Sequence, residues 1–257
     1  MNGVNRGILV AVTGAMALQL GLTDAMLHFL RPGMRLYLVT AGAVLVLLGV
    51  VVAFAAWRRA RAVPEPVGAA DSPDAHGHEH AHGSRVAWLL LLPVVVGVLA
   101  PSALDSYSAA RATPYQQRQY PLKDFDVERF LRSEAIAGGQ PELPLSDYIG
   151  ASRGAANVRY LVTHDVRVLG FVTPPDDRSD GRRFFLTRFR IGCCAADAIP
   201  MQLDVLVPAH LRIPAQNRWA EVTLRLVNPQ PRHALITVVR AIGLRPVAKP
   251  DKPYDYF

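Results

Sequence analysis

Hydrophobic and polar positions divide this chain near residue 105. Before that point three runs contain no Asp, Glu, Lys or Arg: 17 residues over 7–23, 22 over 36–57 and 19 over 86–104. A hydrocarbon core about 30 Å thick is crossed by about 20 apolar residues rising 1.5 Å each. The pattern predicts three membrane spans, over about 7–27, 36–57 and 86–104. The second is long enough unaided. The third carries Pro93 and Pro101, which membrane helices tolerate where neighbours re-satisfy the freed carbonyl. The first is short unless its helix continues past Asp24. A signal peptide is the competing reading. Ala15-Met16-Ala17 imitates a cleavage site but lies inside the apolar run, and Arg6 alone would form the basic lead. Gly14, Ala17 and Gly21 suit close helix packing, although ordinary membrane composition accounts for them equally. Asp24 and His28 would share a face of a continued helix. At a helix end such groups are usually hydrated, and that reading is preferred to a site within the bilayer.

Beyond residue 105 the pattern becomes that of a folded domain. Residues 106–123 are polar with Pro114 and Pro121 and read as a tether. A helix is expected over 124–137, with Asp124 as its cap and Gly138-Gly139 as its stop. A second short helix is expected over 145–149. Five strand-like runs follow, at 166–172, 184–191, 203–207, 219–227 and 235–242, several with strict alternation. Five short strands over about 157–247 suggest a mainly-β domain closed as an OB-like barrel, with a tail over 248–257. The expected fold class is therefore an α-helical membrane region of three helices, a short helical lead-in and a C-terminal five-stranded OB-like barrel.

Charge sharpens the division. Residues 1–105 hold 7 basic and 6 acidic side chains, and residues 106–257 hold 21 and 15. Charged residues are 19% of the chain, below the usual quarter, and the mean hydropathy is +0.17. A disordered chain, a coiled coil and a single soluble domain are excluded. Two cysteines exclude a disulfide scaffold. Arg6, Arg58, Arg59, Arg61 and Arg85 flank one side of the expected spans, and Arg31, Arg35, Arg111 and Arg118 the other. This five-to-four excess places the 62–84 loop in the cytoplasm and the C-terminal domain on the other side of the membrane. Arg182, Arg183, Arg188 and Arg190 interleave with Phe184, Phe185 and Phe189. Such a face can bind single-stranded nucleic acid, but a core face backed by a solvated one explains it better.

Two patterns carry candidate chemistry. Residues 62–84 are rich in Pro and Gly and contain His76, His78, His80 and His82 at alternate positions. Imidazole suits zinc and copper, and a tract of this kind is a compositional metal signal. A solvated, pH-sensitive linker is the plain alternative. The second pattern is Cys193-Cys194 with Asp197 three residues on, at the end of the second expected strand. Thiolate and carboxylate are both zinc ligands, so Cys193, Cys194 and Asp197 form a candidate metal set. Arg188 or Arg190 would favour the thiolate. Three ligands leave such a site open, for His164, His210, His233 or a partner to complete. Against this, cysteines pack as small hydrophobes, or join as a strained vicinal disulfide.

Arg188-Phe189 through Cys194-x-Ala196-Asp197, Gly170-Phe171-Val172, Leu104-Asp105-Ser106 and the tail Lys249-Pro250-Asp251-x-Pro253-Tyr254 together resemble a bacterial membrane family described as a putative permease subunit, YcgQ-like. The resemblance runs over nearly the whole chain. It implies a partner, a separate multi-span permease, and a link to zinc homeostasis. It implies no catalytic residue. A phosphate-binding glycine loop is missing from the sequence, and no enzyme is expected. The expectation is an accessory subunit of a membrane permease handling a divalent transition metal, with Zn2+ as the candidate ion. A membrane-anchored protein-interaction adaptor and, more weakly, a thiol redox protein are the alternatives.

Overall fold

We describe the protein from a computed structural model, over residues 3–62, 104–111, 126–136, 141–174, 182–228 and 236–256. The chain divides into two compact units. One holds residues 1–26 and 32–102, the other residues 27–31 and 103–257.

In the first unit, α1 (Gly3–Leu22) and α2 (Arg35–Ala62) are each long and apolar enough to cross a membrane. α1 reaches that length by starting at Gly3. It does not continue past Asp24. The chain instead tightens into 3-10 turns over Asp24–His28 and Pro32–Met34. At three residues per turn Asp24 and His28 no longer share a face, and Asp24 Oδ1 accepts a hydrogen bond from Arg35 at 2.5 Å. The two helices meet along glycines spaced by seven: Gly7, Gly14 and Gly21, all buried, face Gly42 and Gly49. A β-carbon at Gly14 would lie 2.6 Å from the backbone nitrogen of Val46, and one at Gly42 2.7 Å from that of Leu18. The backbones therefore approach more closely than any side chain permits. On the outer surface of α2, Leu36, Val44, Leu47, Val51, Phe54 and Trp57 are exposed. The expected third span over 86–104 and the histidine loop lie outside the described residues.

In the second unit, among the described residues, four short helices precede the sheet: α3 (Ser106–Arg111), α4 (Val127–Ile136), α5 (Leu145–Ala151) and α6 (Ala155–Thr163). The start of the expected tether is thus structured. Asp105 Oδ1 accepts from Tyr107 N and Ser108 N, capping α3. Ser106, itself buried, donates its amide to Asn217 Oδ1 at 2.8 Å. α4 is capped by Asp126, whose Oδ1 accepts from Arg129 N at 3.0 Å; the expected cap, Asp124, lies outside the described residues. α6 replaces the expected start of the β region at 157.

Six strands form one mixed sheet, where five were expected: β1 (Val166–Thr173), β2 (Arg183–Ile191), β3 (Ile199–Leu206), β4 (Trp219–Leu226), β5 (Thr237–Val247) and β6 (Asp255–Tyr256). The order is β1-β4-β5-β3-β2-β6, and β1 also pairs with β2, so five strands close a ring. β3 and β5 run parallel; the other ring pairs are antiparallel. β1 pairs with β4 as far as Phe171, then with β2 from Phe171 onward. Gly170 sits at this change of partner, where a β-carbon would lie 2.8 Å from Thr187 O. Inside the ring Val166, Val168, Phe184, Leu186, Leu203, Val205, Val222 and Leu224 form the core, covered by Leu145, Tyr148 and Leu161. A second cluster of Phe171, Phe189, Ile191, Trp219 and Tyr254 packs with Ala109 of α3.

Candidate metal centre

β2 ends at Ile191, and the chain turns through Gly192, Cys193 and Cys194 into a 3-10 turn over Ala195–Asp197 before β3. Asp197 makes the turn. Its Oδ1 accepts the Gly192 amide at 3.0 Å and its Oδ2 the Cys193 amide at 2.7 Å. Such Asp-to-backbone bonds are why Asp favours turns. The turn brings both sulfurs to one place. Cys193 Sγ and Cys194 Sγ are 3.6 Å apart, both are free thiols, and their ligand atoms and that of Asp197 lie within 4.8 Å of one another. Cys193 and Asp197 are exposed and Cys194 is half-buried.

Two sulfurs bound at the usual zinc–sulfur length to a tetrahedral ion lie about 3.8 Å apart. The observed separation therefore fits a shared ion with little rearrangement. The electrostatics also differ from the expected picture. The Cys193 thiol is pushed up to about 11, first by its hydrogen bond to Asp197 and then by that to Cys194. Arg188 and Arg190 do not lower it. Arg188 is committed elsewhere, to Asp255 at 3.1 Å, Glu142 at 3.6 Å and the Lys252 carbonyl at 2.9 Å. Burial raises the Asp197 pKa, but the amides of Cys193 and Gly192 and the Cys193 thiol outweigh it, and the carboxyl is held below its usual value.

The histidines proposed to complete the site do not do so among the described residues. His164 stacks on Tyr160 at 4.1 Å, at the end of α6. His210 lies in the turn after β3, outside the cysteine group. His233 lies outside the described residues, as do His76, His78, His80 and His82.

What flanks the turn has no signature in the sequence. Residues 27–31, which join α1 to α2, belong to this unit. Leu30 pairs antiparallel with Cys194 in an isolated bridge. Arg31 N donates to Cys193 O at 3.1 Å, and Ala195 N to Phe29 O at 2.7 Å. Tyr254 Oη donates to His28 O at 2.7 Å, and β6 runs parallel to the last residues of β2, Arg190 and Ile191. Tyr254 stood in the tail motif, but nothing in the spacing tied it to residue 28.

No curated protein matches the chain. Among solved structures it is similar to a DUF3299 family protein from Pseudomonas aeruginosa PAO1, at 15% identity and a TM-score of 0.27, over 42% of this chain and 95% of that one. Residues 6–113 match the DUF1980 N-terminal domain and residues 155–257 the DUF1980 C-terminal domain. The chain thus carries, in order, a match to the N-terminal and a match to the C-terminal domain of DUF1980.

Proposed function

We propose that this protein is a membrane-anchored accessory subunit of a permease that handles a divalent transition metal, zinc first, and that the 192–197 turn is its ion site. The observation that carries this reading is the sulfur pair, 3.6 Å apart beside a carboxylate on one turn. Three ligands on an exposed turn leave positions open, as suits an exchanging site rather than a closed structural one. The loop bearing His76, His78, His80 and His82 is the second place where this chain would hold the ion. The exposed apolar surface of α2 supports docking of a separate multi-span permease in the bilayer. The ring order, with β3 parallel to β5, supports the OB-like reading of the β unit.

A multi-pass reading also has a sidedness. If α1 and α2 both span, residues 27–31 emerge on one side and the amino terminus with Arg58, Arg59 and Arg61 on the other. Residues 27–31 pair with the turn, so the turn shares their side. The basic excess makes that side extracytoplasmic.

The test is cobalt titration of the full chain in detergent, with His76, His78, His80 and His82 replaced by Ala. A thiolate-to-cobalt charge-transfer band should appear and saturate at one ion per chain. It should vanish in the further Cys193→Ser/Cys194→Ser variant. No band in the cysteine-bearing protein rejects the ion site and leaves the adaptor reading.

A further inference from the structure

The thiol turn is not free-standing. Its backbone is held by the connection between the two apolar helices, and the carboxy-terminal tail pairs with Arg190 and Ile191 just before it. The Leu30–Cys194 bridge is of the type in which the paired residues make no hydrogen bond to each other. The bonds lie one residue to either side, Arg31 N to Cys193 O and Ala195 N to Phe29 O. These two bonds grip the main chain of Cys193 and of the residue after Cys194. The connection is pinned in turn by Tyr254, whose hydroxyl reaches His28 O from the residue before β6. Tyr254 is itself buried in the second cluster with Phe171, Phe189, Ile191 and Trp219. Its anchoring is therefore rigid, and it is not a surface contact.

We infer that residues 28–31 and Tyr254 are positioning elements of the thiol site, and that ion binding at Cys193 and Cys194 is coupled to docking of the α1–α2 connection. This rests on the ion-site reading above. The physical reason is geometric. An ion held by both sulfurs fixes the side chains of two adjacent residues, and so fixes the backbone at Cys193 O and Ala195 N. Those are the groups the connection binds. Whatever orders the turn then favours the docked connection, and by thermodynamic reciprocity the docked connection favours the ion. The connection is continuous along the chain with α1, which ends at Leu22, and with α2, which begins at Arg35.

The experiment uses the same full-length, histidine-substituted chain in detergent, with zinc as the probe and amide exchange as the readout. Zinc should slow exchange of the Arg31 and Ala195 amides about tenfold. Tyr254→Phe removes one hydroxyl and should speed exchange at Arg31 several-fold. Through the same coupling it should also weaken cobalt binding, by no more than that factor. Arg31→Pro removes the donor to Cys193 O and should weaken cobalt binding further. A cobalt band of full affinity in Arg31→Pro, or zinc binding without slowed exchange at Arg31, overturns the coupling while leaving the ion site intact. Loss of any cobalt band in the parent chain overturns both. A variant that unfolds is recognised by its lost thermal transition, and Tyr254→Phe, which keeps the ring in its apolar cluster, then decides.

Discussion

Cys193 keeps its proton because Asp197 faces it, and this makes its reactivity a measurable property of one contact. With the thiol pushed up to about 11, little thiolate is present at pH 8, and alkylation of Cys193 should be slow. Asp197→Ala removes the foremost cause and should speed alkylation at Cys193 several-fold, read by mass spectrometry of the modified peptide. An unchanged rate would show that Asp197 does not control the thiol. Asp197 also has its own pH dependence. Its folded pKa lies below the ordinary value of 3.8, so its contribution to the turn is complete above that value. The contribution is lost as pH falls through the lower folded value. The Gly192 and Cys193 amide resonances should therefore move only on strong acidification, and movement near pH 6 would contradict the assignment. At this scale the sequence was informative where neighbours are close along the chain: two thiols and a carboxylate within five residues must meet if the chain turns. It misled where a partner comes from far away. Arg188, five residues before Cys193, looked like its cation, but Asp255 and Glu142 claim it across the fold.

At the scale of elements, the helix pair depends on glycines in register. Gly14→Leu puts a side chain where the backbone of Val46 already stands, and should destabilise the pair by about 1–3 kcal/mol, the usual magnitude for overpacking. The melting midpoint of the full chain in detergent reads this out. An outward substitution on α2, Leu47→Ala, is the control and should leave the midpoint nearly unchanged; equal effects would refute the glycine seam. The seam runs through Gly7, Gly14 and Gly21 at a spacing of seven, whereas the small residues Gly14, Ala17 and Gly21 stand at the spacings of three and four that usually signal close packing. The apolar helix over 36–57 was legible because nothing charged interrupts it. α6 was not found, although Ala155, Val158, Leu161 and Val162 have helical spacing, because the alternating strand that follows drew the boundary back to 157. β5 was cut at residue 242 because Gly243 and Pro246 look like breakers. Its pairing with β4 nevertheless continues to Val247 opposite Trp219. β6, two residues long, is too short for any periodicity to reveal.

For the whole molecule, the division of charge near residue 105 anticipated two units but not how the chain shares them out. Residues 27–31 lie amid the apolar half of the sequence and yet fold with the β unit, because their backbone groups complete the edge at Cys193–Ala195. This exchange makes sidedness testable with the natural protein. The chain has two cysteines, adjacent to each other, and Cys193 is exposed. A membrane-impermeant maleimide should therefore label the protein in intact cells if the β unit is extracytoplasmic, at alkaline pH where the thiolate of Cys193 begins to form. Labelling confined to opened cells would reverse the orientation and place the thiol turn in the cytoplasm. The connection and the turn would still share a side, because that follows from the pairing of Leu30 with Cys194 and not from the count of basic residues. A cysteine placed at Met34, one turn beyond the connection on a Cys193→Ser/Cys194→Ser background, separates the two arguments. It should label from the same side as Cys193 whichever side that is, and labelling from opposite sides would break the link between the helices and the thiol turn on which the coupling depends.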